Sequence, residues 1–223
     1  MKKLFFLLFC FASLHASPEE EAALKFHVVS YLPTLEGWCS KEKAVEFIDF
    51  ILLEKPKTWV EIGVFGGSSI FPVISTFKHL NEGKVFAIDP WDKIECLKYF
   101  DPVLESSDLR WWGNLNMNQI YHSFLSMMKR FQLEKFCTVI RKTSELAINE
   151  IPEIDVIYMD GNHSEEPSLQ DAKIYLPKVR TGGFIWFNDA QWQQRQAAIE
   201  WLLHFCDVVK VIENGNCLLM KKR

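Results

Sequence analysis

The chain has 223 residues, of which 48% are hydrophobic and 24% charged, and its formal net charge is −4. That size and balance fit one globular domain with a substantial core, and exclude collagen, solenoid arrays and intrinsic disorder. Without Lys2 and Lys3, 23 basic residues face 29 acidic ones. No basic footprint for a phosphate backbone remains, so nucleic acid is not an expected partner.

Residues 1–16, MKKLFFLLFCFASLHA, read as a signal peptide, with a short basic start, an apolar run from Leu4 to Leu14, and small residues at Ala16 and Ser17. The run is short for a bilayer span, so no stable transmembrane segment is expected after its removal. Export or a periplasmic location is the expectation, with the cytoplasm as the alternative if the segment is only a lead-in helix. Past the leader stand Cys39, Cys96, Cys137, Cys206 and Cys217, without a CxxC pair. They read as scattered core thiols, not as a disulfide framework or a zinc site.

Residues 17–55 form a helical preface, broken at LPTLEGWCS and resumed in KEKAVEFIDFILLE, where Val45, Ile48, Ile51 and Leu52 recur at helical spacing. The main domain spans 56–223. Its first strand is TWVEIGV, rich in β-branched and aromatic residues, followed by FGGSS and a helix marked by Ile70, Val73, Ile74 and Phe77. Pro72 is tolerated in the first turn if Ser69 is the cap. KVFAIDP closes a β-α-β unit, which implies parallel strands and a right-handed crossover.

An aromatic, irregular insert follows at about 91–134, ending in a helix through Ile120, Phe124, Met127 and Phe131; such inserts build lids and substrate walls. FCTVIRK is the third strand, ELAINEI a helix, and IDVIYMD a strand apolar enough to be buried on both faces. A helix over 167–176 leads through KVRTGG to the strand FIWFND, then a helix over 191–205. DVVKVIE, Asn214-Gly215 and NCLLMKK form a β-hairpin with a type I′ turn.

The chemistry-bearing residues gather at strand ends. Glu61, Gly63, Gly66 and Gly67 lie where a strand gives way to a helix, so the backbone can approach a ligand and helix amides can face it. The spacing is E-x-G-x-x-x-G, not the G-x-G-x-x-G of a nicotinamide site. Asp89 ends the second strand, where an acid accepts from ribose hydroxyls of either an adenosyl group or NAD; alternatively it only starts the DPW turn. Thr143 and Ser144 either line an adenine edge or cap the next helix. Trp91, Trp111, Trp112, Trp186 and Trp192 are aromatic wall or ordinary core.

With VEIGVFGGSS, AIDPW and the segment IDVIYMDGNHSEEPSLQDAKIYLPKVRTGGFIWFNDA, the chain from Thr58 onward resembles class I S-adenosylmethionine-dependent methyltransferases. Within them it resembles the small-molecule O-methyltransferase-like group, methyltransferase family 24-like, whose fourth strand ends in D-G-x-H. The resemblance implies a three-layer, Rossmann-like α/β fold with a seven-stranded, mostly parallel sheet and an antiparallel last strand. It implies S-adenosyl-L-methionine as methyl donor and a hydroxyl of a small molecule, a sugar or aromatic ring, as acceptor. Glu61, Gly63, Gly67 and Ser68 would hold the methionine end, Asp89 the ribose, Ser144 the adenine edge, and Asp160 the floor beside the sulfonium.

His163 would take the acceptor's proton, an imidazole being poised for this near neutral pH; the alternative is that it only orders the loop. Related metal-dependent enzymes hold an ion at the ends of strands four and five, which implies Asp160, Asn188 and Asp189 as ligands for Mg²⁺. Here the order is Asn-Asp instead of Asp-Asn, and the pair could instead cap the following helix. Two rival functions stand beside methyl transfer: an exported, non-catalytic domain that keeps the fold, favoured by the leader, and an NAD-dependent oxidoreductase.

Overall fold

The computed structural model describes residues 17–99 and 106–223. The leader reading, residues 1–16, lies outside them, as does part of the insert.

The preface is two helices, α1 (Pro18–Tyr31) and α2 (Lys41–Glu54). Ser17 caps α1 through a reciprocal box with Glu20, and Ser40 caps α2 by accepting from the Lys43 amide. Seven strands follow: β1 (Thr58–Ile62), β2 (Lys84–Ile88), β3 (Cys137–Ile140), β4 (Ile154–Met159), β5 (Val179–Phe187), β6 (Cys206–Ile212) and β7 (Cys217–Lys222). They pair in the order β3-β2-β1-β4-β5-β7-β6. Every pair from β3 through β5 is parallel, and β7 runs antiparallel to both β5 and β6. This is the expected mostly parallel sheet with an antiparallel last strand.

Helices cover both faces. On one, α2, α3 (Ile70–Leu80) and α6 (Met117–Arg130) pack on Trp59, Tyr158, Phe184 and Trp186. Phe47 sits edge-on to Trp59, Tyr158 and Trp186 at centroid distances of 4.8–5.5 Å, the geometry that the ring quadrupole favours. The other face, Val60, Ile157, Ile185 and Met220, is covered by α7 (Ser144–Ala147), α8 (Glu165–Tyr175) and α9 (Gln196–Leu203). The insert adds α4 (Lys93–Leu97) and α5 (Ser106–Asn114) before α6.

Several expected boundaries move. β5 begins at Val179, not at Phe184: Val179 pairs with Ile154, residues 180–183 loop out with Gly182 at φ +73°, and pairing resumes at Phe184. KVRTGG is thus a bulge within a strand. The helix expected from 191 starts as a 3₁₀ turn at Gln193 and becomes α-helical only at Gln196. Trp186 and Trp91 are core, 0% and 1% exposed, so neither is available as a wall. The hairpin turn is as expected: Asn214 (φ 55°, ψ 31°) and Gly215 (φ 99°) are its centre, and the Asn216 amide donates to the Glu213 carbonyl at 3.1 Å. The five cysteines past the leader are free thiols.

Strand order reverses between β1 and β4, so their carboxyl ends open a crevice, the place where open α/β sheets bind ligands.

Candidate active site

At that crevice lies an open cavity of about 1620 Å³. A single drug-sized ligand needs about 300–1,000 Å³, so two molecules fit side by side. Its lining comes from the ends of β1, β2, β4 and β5, from the segment before α2, and from α5.

Gly63 stands at the centre, at φ +86°, where a Cβ would lie 2.0 Å from the Asp160 carbonyl oxygen. Glycine here lets β1 and β4 close on each other and keeps the backbone open to the crevice. Gly66 and Gly67 serve a different purpose from the expected one. A Cβ on Gly66 would strike Glu36, and one on Gly67 would strike Phe124 and Met127 of α6. Gly67 therefore admits packing, and it does not line the cavity. Ser68 does line it, but its hydroxyl accepts from the Cys39 amide at 3.2 Å, tying the loop after β1 to the preface.

Glu61 is fully buried behind Ser69, whose hydroxyl donates to Glu61 Oε1 at 2.6 Å. Burial raises its pKa well above 4.5, and Oε2 has no partner. A buried oxygen left unpaired is costly, but Glu61 does not itself line the cavity, being covered there by Ser69. Asp89 accepts from the Phe65 amide (Oδ2, 2.9 Å) and the Trp91 amide (Oδ1, 2.7 Å). Burial raises its pKa despite those bonds. Each oxygen retains a lone pair for a hydroxyl, so the turn role and a ribose role coexist. Ser144 is the first residue of α7, the cap being Thr143, and its hydroxyl donates to Asp171. Gly63, Ser68, Asp89 and Ser144 line the cavity and fit an adenosyl cofactor in placement, whereas Glu61 and Gly67 stand behind its wall.

The reactive end is a network. Asp160 Oδ1 accepts from Asn188 Nδ2 at 2.9 Å, and Oδ2 from the Tyr158 hydroxyl at 3.1 Å. His163 Nε2 lies 3.0 Å from Asp189 Oδ2 and 3.5 Å from Asp160 Oδ1. The His163 contacts are ion pairs by distance; the ring N–H is not aimed along either one. Burial opposes charge on the imidazole, but the two carboxylates outweigh it and raise its pKa above 6.5. Burial likewise opposes the Asp189 carboxylate, and His163 with Asn216 outweighs it, so the Asp189 pKa falls below 3.8. Asp189 itself adopts φ +48°, a conformation tolerated best by Asn and Asp among residues with a Cβ.

Neither Asn188 nor Asp189 caps a helix: α9 is preceded by Arg195 with no side-chain cap bond. Asn188 also departs from the expected ligand set, because its Oδ1 is taken by Lys43 Nζ at 2.7 Å and its amide nitrogen faces Asp160. Among the described residues the group able to converge on an ion is Asp160, His163 and Asp189, with ligand atoms within 4.8 Å of one another. Two oxygens and a nitrogen are not the all-oxygen set that Mg²⁺ prefers.

Three participants, Lys43, Arg195 and Trp38, escape sequence reasoning. Lys43, 3% exposed, bridges Asn188 and Glu213 (2.9 Å). Arg195, 2% exposed, donates to the Met159 and Asn188 carbonyls at 2.8 and 3.1 Å and clamps the ends of β4 and β5 together. Trp38 stacks on Phe65 at 5.1 Å, and Trp111 and Trp112 complete that wall at 5.4 and 6.3 Å from Trp38. The visible signal for Lys43 was its place four residues before Phe47, on the apolar face of α2.

Residues 60–190 match a family profile described as a methyltransferase domain. The chain is 27% identical over 135 residues to an uncharacterised protein, R132, of Acanthamoeba polyphaga mimivirus, covering 60% of this chain and 52% of that protein. It thus spans about half the length of the curated relative it matches. In fold it is similar to the methyltransferase PaMTH1 of Podospora anserina, solved with S-adenosylhomocysteine (SAH) bound, at 12% identity and a TM-score of 0.63, covering 90% of this chain and 88% of that one. It is also similar to an O-methyltransferase of Bacillus cereus in complex with SAH, at 11% identity and a TM-score of 0.55, covering 95% and 94%.

Proposed function

The chain belongs to the methyltransferase-domain family, whose profile covers more than half of it, and from that premise we propose that it transfers the methyl group of S-adenosylmethionine to a hydroxyl oxygen of a small molecule. The observation that carries this reading is one cavity at the strand-order reversal that joins the Gly63 and Asp89 strand ends to His163 and Asp160. The cofactor supplies an electrophilic methyl carbon on a sulfonium. The chain's own contribution is to hold the acceptor oxygen in line and to receive its proton.

His163 is the candidate for the proton. Its Nε2 lies within ion-pair distance of Asp189 and Asp160, and the neutral ring has one nitrogen free of a proton to accept the substrate's. Asp189 orients the ring and stabilises the imidazolium that forms, the division of labour of a base and its orienting acid. Asp160, held by Tyr158 and Asn188, lies beside the ring as a fixed negative charge at the sheet edge. If a divalent ion is needed, Asp160, His163 and Asp189 would hold it, and it would lower the hydroxyl pKa directly.

Calorimetric titration with SAH tests the reading. Binding in the micromolar range, roughly −8 kcal/mol, with none for NAD, is expected; the reverse pattern defeats it. The leader favours a second reading, export of a domain that binds without catalysis. Determining the amino-terminal residue of the mature protein and the compartment that holds it separates the two. No helix among the described residues is long and apolar enough to cross a membrane.

A further inference from the structure

The cavity walls carry a charge pattern that selects among acceptors. Three lysines line it, and each already faces an acid: Lys43 with Glu213 at 2.9 Å, Lys210 with Glu46 at 2.5 Å, and Lys98 with Glu95 at 3.7 Å. Glu42, Glu145 and Glu166 line the same cavity with no ion-pair partner among the described residues. An acceptor bearing a carboxylate or phosphate would therefore enter a cleft with more acids than lysines, its one buried lysine, Lys43, already paired, a mismatch that costs affinity and slows encounter.

The second observation is the aromatic wall. Trp38 and Trp111 are 66% and 45% exposed, although both rings lie within 5.4 Å of each other and beside Phe65. Large rings held open at the mouth of a cleft are unusual for a monomer surface and mark a contact site. Indole faces attract cations as well as flat apolar rings. Trp192, 4.9 Å from the His163 ring, extends the aromatic lining to the proposed base.

From these two features we infer that the acceptor is a small hydroxylated ring compound carrying a positive charge, such as a phenolic amine, and that anionic acceptors, including acyl-CoA thioesters and sugar phosphates, are disfavoured. This rests on the methyl-transfer reading of the same site and adds its acceptor class. The aromatic ring lies on the wall built by Trp38, Phe65 and Trp111, and the ammonium group is drawn by the acid-rich lining of the cavity as a whole.

The test uses the full protein saturated with SAH and three phenols of matched size: tyramine (cationic), 4-ethylphenol (neutral) and 3-(4-hydroxyphenyl)propanoate (anionic), each titrated by calorimetry. Tyramine is expected to bind about tenfold or more tighter than the propanoate, a gap of about 1.4 kcal/mol, with the neutral phenol between and the gap shrinking as salt is added. Trp38→Ala, at an exposed position, is expected to weaken tyramine about tenfold and leave SAH affinity within about twofold. Equal affinities, preference for the anion, failure of tyramine to bind at millimolar concentration, or indifference to Trp38→Ala overturns the acceptor class. Failure of SAH itself to bind overturns the methyl-transfer reading instead.

Discussion

Lys43 Nζ donates to Asn188 Oδ1 at 2.7 Å, and this bond sets which way the Asn188 amide faces. With the oxygen held by an ammonium, the amide nitrogen is left for Asp160 Oδ1 at 2.9 Å and Asp189 Oδ2 at 3.1 Å. Two carboxylates at the sheet edge are thereby bridged by a neutral amide on one side, while His163 Nε2 lies against the same two oxygens on the other. Replacing Asn188 by Asp converts both contacts into carboxylate against carboxylate, which a divalent ion relieves. Asn188→Asp is expected to bind Mg²⁺ or Mn²⁺ about tenfold or more tighter than the wild type, read by titration of the metal alone; unchanged affinity would show that the amide does not govern ion binding.

Removing the lysine tests the other side of the same bond. Lys43→Met fits the apolar face of α2 but leaves Asn188 Oδ1 and Glu213 without their buried partner. Breaking a buried pair by one member typically costs about 3–5 kcal/mol, and because Glu213 keeps some solvent contact, 19% exposed, the lower end is expected. Urea unfolding of the two proteins measures it, and a midpoint shift worth well under 1 kcal/mol would make the bridge an incidental contact.

Asp89 has two duties, and two substitutions separate them. Asp89→Asn retains an oxygen for one of the Phe65 and Trp91 amides but cannot accept from two hydroxyls as well. SAH affinity is expected to fall by about 1–3 kcal/mol in Asp89→Ala and by less in Asp89→Asn. A folded alanine variant with wild-type SAH affinity, by calorimetry, would move the ribose elsewhere.

The fold was legible because its signals are local and repeated. The apolar run of β4, the glycines after β1 and the Asn214-Gly215 turn each declare their geometry within a few residues. What stayed hidden needs tertiary contact. Gly67 looks like a ligand glycine in sequence, and only the approach of Phe124 and Met127 from the insert assigns it to packing. Lys43 and Trp38 come from the preface, at long sequence distance from every strand end they join. The gathering of Asp160, His163 and Asp189 was within reach, because parallel strands place their carboxyl ends on one edge; the orientation of Asn188 was not, since it depends on Lys43.

Asp171 gives the protein a pH-dependent stability. Burial lifts its pKa from 3.8 to about 6, although Ser144 donates to it. The folded state thus binds a proton more tightly than the unfolded chain, so this group's contribution is greatest below about pH 4 and is lost as pH rises to about 6. By pH 7 the cost reaches at most about 3 kcal/mol. Asp171→Asn keeps an acceptor for Ser144 and removes the ionisation. It is expected to raise the melting temperature at pH 7 and to flatten its fall between pH 4 and 6, as scanning calorimetry across that range would show; a variant with the wild-type slope would assign the slope to other groups.

The proton acceptor decides the chemistry, and His163 and a bound ion make opposite forecasts. If His163 is the base, it works only in its neutral form. Its pKa is raised above 6.5 because Asp160 and Asp189 outweigh burial, so turnover should climb with pH through that raised value instead of peaking near 6. The same carboxylates contribute stability below pH 6.5 that is lost as pH passes the folded-state pKa. His163→Ala should cost about a hundredfold or more in turnover and leave SAH affinity unchanged, while chelator has no effect. If an ion activates the hydroxyl, chelator abolishes turnover and restoring the ion recovers it. SAH release with a phenolic amine as acceptor, followed against pH with and without chelator, separates the two. Histidine is favoured here, because Asn188 presents nitrogen to Asp160 and withdraws the third oxygen that a Mg²⁺ site would draw on. An active, chelator-resistant His163→Ala enzyme would defeat both routes and leave alignment of donor and acceptor as the source of the rate.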